Sequence, residues 1–227
     1  MIQATRQLPL DLGHRPALDR DAFLVTGSNA DAVGWIDRWP AWPMPALVLE
    51  GPPGAGKTHL ASVWRAQADS GLVEGTALDA ARVPDLLEAG RPLVVERADQ
   101  AAEQPLLHLY NACAERGLSL LLTAEGAPAR WGTRLPDLSS RLKALPVASI
   151  GAPDDRLVHA VLIKLFADRQ LIIADDVVDF LTARMERSFE AASRLVAAID
   201  AASLAAQRRV SVPLARDVLR RLYPEES

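Results

Sequence analysis

The sequence has a single cysteine, Cys113. An internal disulfide is excluded, and the expected setting is a reducing one, the cytoplasm. Long apolar runs are missing too: nothing approaches the roughly 18 uninterrupted residues of a membrane span, so no membrane association is expected. Residues 1–12 carry one arginine and a broken apolar pattern without a small-residue cleavage site, and do not read as a secretory signal. The four histidines, His14, His59, His108 and His159, are far apart in sequence, and none has metal-ligand spacing to another or to Cys113. No Gly-x-Ser-x-Gly elbow marks a serine nucleophile. There is no basic excess: the net charge is −4 and the pI about 5.6, which argues against a chain that coats nucleic acid. Aromatics make up 5%. Trp35, Trp39, Trp42, Trp64 and Trp131 are not interleaved with basic residues, so they are expected in packing contacts rather than stacked on bases.

Apolar residues make up 49% of the 227, enough for a sizeable core. Residues 1–20 read as a tail, in which Pro9 and Pro16 hinder a helix. Residues 21–151 alternate short apolar strands with amphipathic helices. Asn29 is expected to cap a helix carrying Val33, Ile36 and Trp39. Strands are expected at 46–49, 72–78, 93–95, 118–123 and 147–150, with helices at 57–68, 83–88, 105–116 and 138–144. Gly117 is the expected stop of the third of these helices. Alternation of this kind implies a parallel sheet covered by helices on both faces. Beyond Gly151-Ala152-Pro153 only helical patterns follow, at 154–169, 175–186, 189–207 and 213–222, with Ser188 and Pro213 as start signals. The predicted architecture is thus an α/β domain at 21–151 and a small all-helical domain at 152–227.

The strongest motif is Gly51-Pro52-Pro53-Gly54-Ala55-Gly56-Lys57-Thr58, which fits Gly-x-x-x-x-Gly-Lys-[Ser/Thr] between an apolar strand and an amphipathic helix. Glycines there let successive backbone N–H groups turn inward around phosphate oxygens, and the helix N-terminus adds positive potential. Lys57 is expected to reach the β- and γ-phosphates and the Thr58 hydroxyl to hold Mg²⁺. A second strand, Leu93-Val94-Val95, runs into Glu96, where a P-loop ATPase needs an acid beside the metal. The next residue, Arg97, cannot act as a base. Asp99 would serve in its place only if the strand ended later.

Several segments together resemble the AAA+ module of the bacterial initiator DnaA. Phe23-Leu24-Val25-Thr26-Gly27-Ser28-Asn29 is similar to the segment that lines the adenine pocket in that family, which implies Phe23 and Val25 as nucleotide contacts. Leu120-Leu121-Leu122-Thr123-Ala124-Glu125 resembles the sensor 1 strand, with Thr123 or Glu125 near the γ-phosphate. Leu138-Ser139-Ser140-Arg141-Leu142 resembles the stretch carrying the arginine finger, which falls on Arg141. Arg187-Ser188-Phe189-Glu190-Ala191 resembles the sensor 2 region, but the nucleotide-contacting arginine falls on Ala191, and Arg194 lies a helical turn further on. The ligand so implied is ADP or ATP with Mg²⁺.

The layout of tail, AAA+ core and lid resembles truncated DnaA relatives of the Hda type. Such relatives act with the DNA-loaded sliding clamp to trigger hydrolysis of ATP on DnaA, and their tail carries a clamp-binding peptide beginning Gln-Leu. Here the tail reads Gln7-Leu8-Pro9-Leu10-Asp11-Leu12. Gln7, Leu8, Leu10 and Leu12 are the implied clamp contacts on an extended backbone. The resemblance implies the sliding clamp and DnaA as partners, a homodimer as an option because AAA+ modules commonly bind nucleotide at subunit borders, and no direct sequence-specific DNA binding. Three other functions stay open: a helicase-loader-type ATPase, a small P-loop kinase, and a clamp adaptor whose nucleotide only stabilises the fold.

Overall fold

The computed structural model describes residues 25–223. Five strands, β1 (Ala46–Glu50), β2 (Gly71–Glu74), β3 (Leu93–Glu96), β4 (Leu120–Ala124) and β5 (Val147–Ser149), form one sheet in the order β2-β3-β4-β1-β5, with every pairing parallel. Burial on both faces explains why the strands read as continuous apolar runs. Successive side chains point to opposite faces. Ala46 and Val48 of β1, Leu93 and Val95 of β3, and Leu120 and Leu122 of β4 therefore enter one core. Leu47, Leu49, Val94 and Leu121 enter the other.

The helices α1 (Ala30–Asp37) and α2 (Lys57–Ala68) close the second core through Ile36, Leu60 and Trp64. The first core is closed by α3 (Arg82–Glu88), α4 (Glu103–Glu115) and α5 (Pro136–Ala144) through Leu87, Leu109, Cys113 and Leu142. Gly117 ends α4 with φ +65°: its N–H bonds the Ala114 carbonyl, and the Leu118 N–H bonds that of Cys113, a Schellman pair. Trp64, fully buried on α2, is stacked on Trp42 with ring centroids 5.3 Å apart and meets Trp39 edge-on at 5.9 Å.

After β5 the chain forms only helices: α6 (Asp155–Asp168), α7 (Asp175–Thr182), α8 (Phe189–Ala206) and α9 (Val212–Leu222). They enclose a core of their own around Phe166, Leu181, Leu195 and Ile199. Two starts are capped by side chains: Asp154 Oδ1 accepts the Leu157 N–H at 2.8 Å and Ser188 Oγ the Ala191 N–H at 3.1 Å.

Four local expectations are corrected. Asn29 precedes α1 but does not cap it through its side chain; its Oδ1 takes the Thr26 N–H at 2.8 Å. Trp39 lies past the end of α1 at Asp37 and donates from Nε1 to Ser119 Oγ. The strand expected over 72–78 stops at Glu74, because Gly75–Ala77 tighten into a 3₁₀ turn. The helix from Asp175 ends at Thr182, and the following turn drops Met185 into the lid core before Ser188 starts α8.

Truncating Phe166 to Ala leaves a cavity at the centre of the helical domain and is expected to cost about 3–5 kcal/mol, measured as a lowered urea midpoint. Burial pushes the Cys113 thiol up to about 11, opposed by the charge of Arg116. Alkylation by iodoacetamide at pH 8 is therefore expected to be far slower in the native chain than in the urea-unfolded one.

Candidate functional site

The phosphate-loop residues follow β1 directly, an interior strand between β4 and β5, outside the carboxyl edge of the sheet, where open α/β sheets bind ligands. Gly54 and Gly56 have φ of +69° and +99°, a region only glycine enters freely. Packing demands glycine as well: a Cβ on Gly51 would collide with the Ile150 carbonyl, one on Gly54 with Ser188, and one on Gly56 would stand 2.9 Å from the Phe189 ring. Gly56 caps α2 and brings no side chain to the first-turn N–H groups, which face the loop as donors for an anion. Lys57 folds back over the loop, its Nζ donating to the Gly51 carbonyl at 2.7 Å and that of Pro52 at 2.9 Å. Burial lowers its pKa, while the carboxylates of Glu125, Asp99 and Glu96 act to raise it.

Sheet register gathers the remaining groups. Leu49 pairs with Thr123, and Val95 with Leu122, so the ends of β1, β4 and β3 lie at one level. Glu96 is 7% exposed and Thr123 fully buried. Thr123 Oγ1 donates to Glu96 Oε2 at 2.6 Å, Thr58 Oγ1 donates to the same oxygen at 3.3 Å, and the Arg97 N–H donates to Thr123 Oγ1 at 3.0 Å. A carboxylate buried this deeply needs such donors. They fix one oxygen of Glu96 beside the Thr58 hydroxyl, and this pair of hard oxygen ligands suits Mg²⁺, which takes its other ligands from phosphate and water.

Arg97 turns away from this site. With φ +52° it is left-handed, and its guanidinium grips Glu74 Oε2 through Nε and Nη2 at 3.2 and 2.9 Å, a solvated pair worth little stability. The turn it makes has a consequence that the strand boundary hid. β3 ends at Glu96, and Asp99 in the 3₁₀ turn Ala98–Gln100 is close enough for its charge to act on Lys57. Asp99 Oδ2 accepts the Glu125 N–H at 3.3 Å, and Oδ1 is buried with no partner among the described residues. The sequence admits Asp99 only if the strand ends later; the strand does not, and the chain instead turns at left-handed Arg97.

Other predicted residues are placed elsewhere. Arg141 stands on the exposed side of α5, its guanidinium 5.8 Å from the Tyr110 ring. The start of α5 is pinned by Glu103 of α4, whose carboxylate accepts the Arg134 and Leu135 N–H groups at 2.9 and 2.7 Å. Ala191 is buried in the first turn of α8, and Arg194 is exposed on the same helix. The start of α8 instead meets the phosphate loop: the Phe189 N–H donates to the Gly54 carbonyl at 3.0 Å, with the Phe189 ring over Gly56. Val25 is half exposed. Phe23 and the peptide Gln7, Leu8, Leu10 and Leu12 lie outside the described residues.

Comparison with known proteins bears on this arrangement. Residues 155–219 match the family described as Hda, lid domain. The chain is similar to domain III of the Thermotoga maritima replication initiation protein DnaA, with 15% identity, a TM-score of 0.76, and coverage of 91% of this chain and 97% of that one. It is similar to a replication initiator DnaA bound to AMPPCP and single-stranded DNA at 15% identity and TM-score 0.66, covering 82% of this chain and 66% of that one. The Thermotoga maritima RuvB Holliday junction branch migration motor matches at 17% identity and TM-score 0.67 over 78% of this chain and 61% of its own. At these identities the likeness is one of fold. Residues 155–219 thus match the Hda lid domain, and the strands and helices before them share the fold of DnaA domain III.

Proposed function

We propose that this chain binds ADP or ATP with Mg²⁺ and regulates replication initiation by stimulating hydrolysis of ATP held by DnaA, together with the DNA-loaded sliding clamp. The observation that carries this reading is an Hda-type lid on a DnaA-type module whose finger-position arginine, Arg141, faces outward. In this reading the N–H groups of Gly54 to Thr58 and the Lys57 ammonium hold the phosphates, while Thr58 and Glu96 hold Mg²⁺, which neutralises phosphate charge when bound. Thr123 keeps the Glu96 carboxylate aimed. Arg141 reaches the nucleotide of a neighbouring DnaA subunit, and Gln7, Leu8, Leu10 and Leu12 engage the clamp. An arginine finger supplied in trans is worth ~10³–10⁵ in rate in GTPases, so one side chain is enough to carry the switch.

A second reading, a helicase-loader-type ATPase with turnover of its own, is favoured by Asp99, an acid three residues past Glu96 whose Oδ1 is buried with no partner among the described residues and so keeps its capacity to accept a proton.

The deciding experiment follows labelled ATP pre-bound to the same organism's DnaA. Conversion to ADP is expected only when the DNA-loaded clamp and this protein are both present. Arg141→Ala and deletion of residues 1–13 are each expected to cut that stimulation at least about tenfold. If DnaA-bound ATP persists while this protein consumes its own, the regulator reading fails. Asp99→Asn then separates the two: turnover lost with Asp99→Asn marks the loader-type enzyme, and turnover unchanged removes Asp99 from the chemistry.

Lys57→Ala removes a charge-assisted contact worth about 1.5–3 kcal/mol, so affinity for a fluorescent ADP analogue is expected to fall roughly 10–100-fold in an anisotropy titration. Thr123→Val strips the 2.6 Å donor from a buried carboxylate and is expected to cost about 1–3 kcal/mol of stability, read by urea unfolding without nucleotide.

A further inference from the structure

Far from the nucleotide loop in sequence, the lid carries a hollow of about 650 Å³ between α7 and α9, lined by Phe180, Arg184, Arg216, Leu219, Arg220 and Tyr223. Arg216, Leu219 and Arg220 recur at i, i+3 and i+4 and so form one face of α9, and Tyr223 follows directly after its end. Three guanidiniums meet there, and none of them makes an ion pair among the described residues. The lid's arginine pairs are Arg169 with Asp200 and Arg187 with Asp155. Nearby carboxylates such as Asp217 and Glu186 do not pair with them, so the clustered positive charges favour an anion brought into direct contact.

The arginines are also held in place. Arg184 lies 4.3 Å from the centroid of the Phe180 ring and donates from Nη1 to the Phe180 carbonyl at 3.3 Å. Arg216 approaches the same ring at 5.6 Å. Stacking of this kind fixes the guanidinium planes and leaves edge N–H groups for a ligand, so less side-chain entropy is lost on binding. Leu219 and Tyr223 add apolar wall beside the charges.

We infer that this hollow is a docking site for a short acidic protein segment, two or more carboxylates flanking one apolar or aromatic side chain. Carboxylates match the guanidinium fork in bidentate geometry, and the apolar wall takes the flanking side chain. The surroundings favour a short segment over a nucleic-acid strand. A phosphodiester backbone needs a continuous basic track. Here Asp175, Asp176 and Asp179 stand exposed on α7, Asp217 beside Arg216 on α9, and Glu186 two residues from Arg184. The basic spot is an island among acids, and the chain is acidic as a whole.

The test titrates the full-length protein into a fluorescein-labelled peptide, Asp-Glu-Phe-Glu-Asp, at low salt, with a labelled oligothymidylate 12-mer and a Lys-for-acid version of the peptide alongside. The acidic peptide is expected to bind, to weaken as salt rises, and to lose at least about tenfold in affinity with Arg216→Glu/Arg220→Glu and with Arg184→Gln. All three side chains are exposed, so the variants are expected to melt as the parent does. Arg208→Glu/Arg209→Glu, of similar charge change on the connection before α9, is expected to leave binding intact. No binding of the acidic peptide, equal binding by all variants, or tighter binding of the oligothymidylate at the same arginines would each overturn the proposal.

Discussion

The contact between Phe189 and the loop at Gly54 and Gly56 is the point on which the molecule turns. The hydrogen bond from the Phe189 N–H to the Gly54 carbonyl, with the ring laid over Gly56, joins the helical domain to the segment that holds phosphates. Two glycines are demanded there twice over, by positive φ and by the neighbour's proximity. The two domains have separate cores, so this seam is where a change in one is felt by the other. Phosphates entering the loop would have to be accommodated beside Ser188 and Phe189, and the position of the lid and the occupancy of the loop are therefore linked.

Around that seam the charges are arranged with some economy. One Glu96 oxygen takes hydrogen bonds from two threonines, one on the phosphate loop and one on the neighbouring strand. A third donor, the Arg97 N–H, orients the second threonine. Lys57 sits among three carboxylates while spending its own donors on loop carbonyls. The site is thus held in order by its own groups, and ligand phosphates would exchange places with contacts already made.

What could be read in the sequence was what lies contiguous in it. The phosphate loop, its strand and its helix occupy 23 neighbouring positions from Ala46 to Ala68, and their chemistry is local. The parallel sheet was legible because burial on both faces makes strands uniformly apolar, as at Leu120-Leu121-Leu122. The lid followed from helical spacing and from two good start signals, Ser188 and Pro213. Asp99 was named only on the condition of a longer strand, because the left-handed turn at Arg97 is announced by no propensity of arginine. The docking of Phe189 on Gly56 spans more than 130 residues of chain, and hydrophobic periodicity carries no record of such a pairing. Asn29 illustrates the opposite error: a residue type that caps helices was instead used by a nearer donor, the Thr26 N–H.

Trp64 on α2, packed against Trp42 and Trp39 from the segment before β1, gives the molecule an optical property. Trp64 lies seven residues beyond Lys57 on the same helix, about 10 Å of rise. Its indole is fully buried against Trp42 and edge-on to Trp39. A helix is stiff over two turns, so a shift of its first turn against the phosphate loop would be carried to the Trp64 ring and its two neighbours. Emission from packed indoles depends on ring spacing and tilt, so the Trp64 cluster would lend the natural fluorescence of the chain a component responsive to its glycine loop.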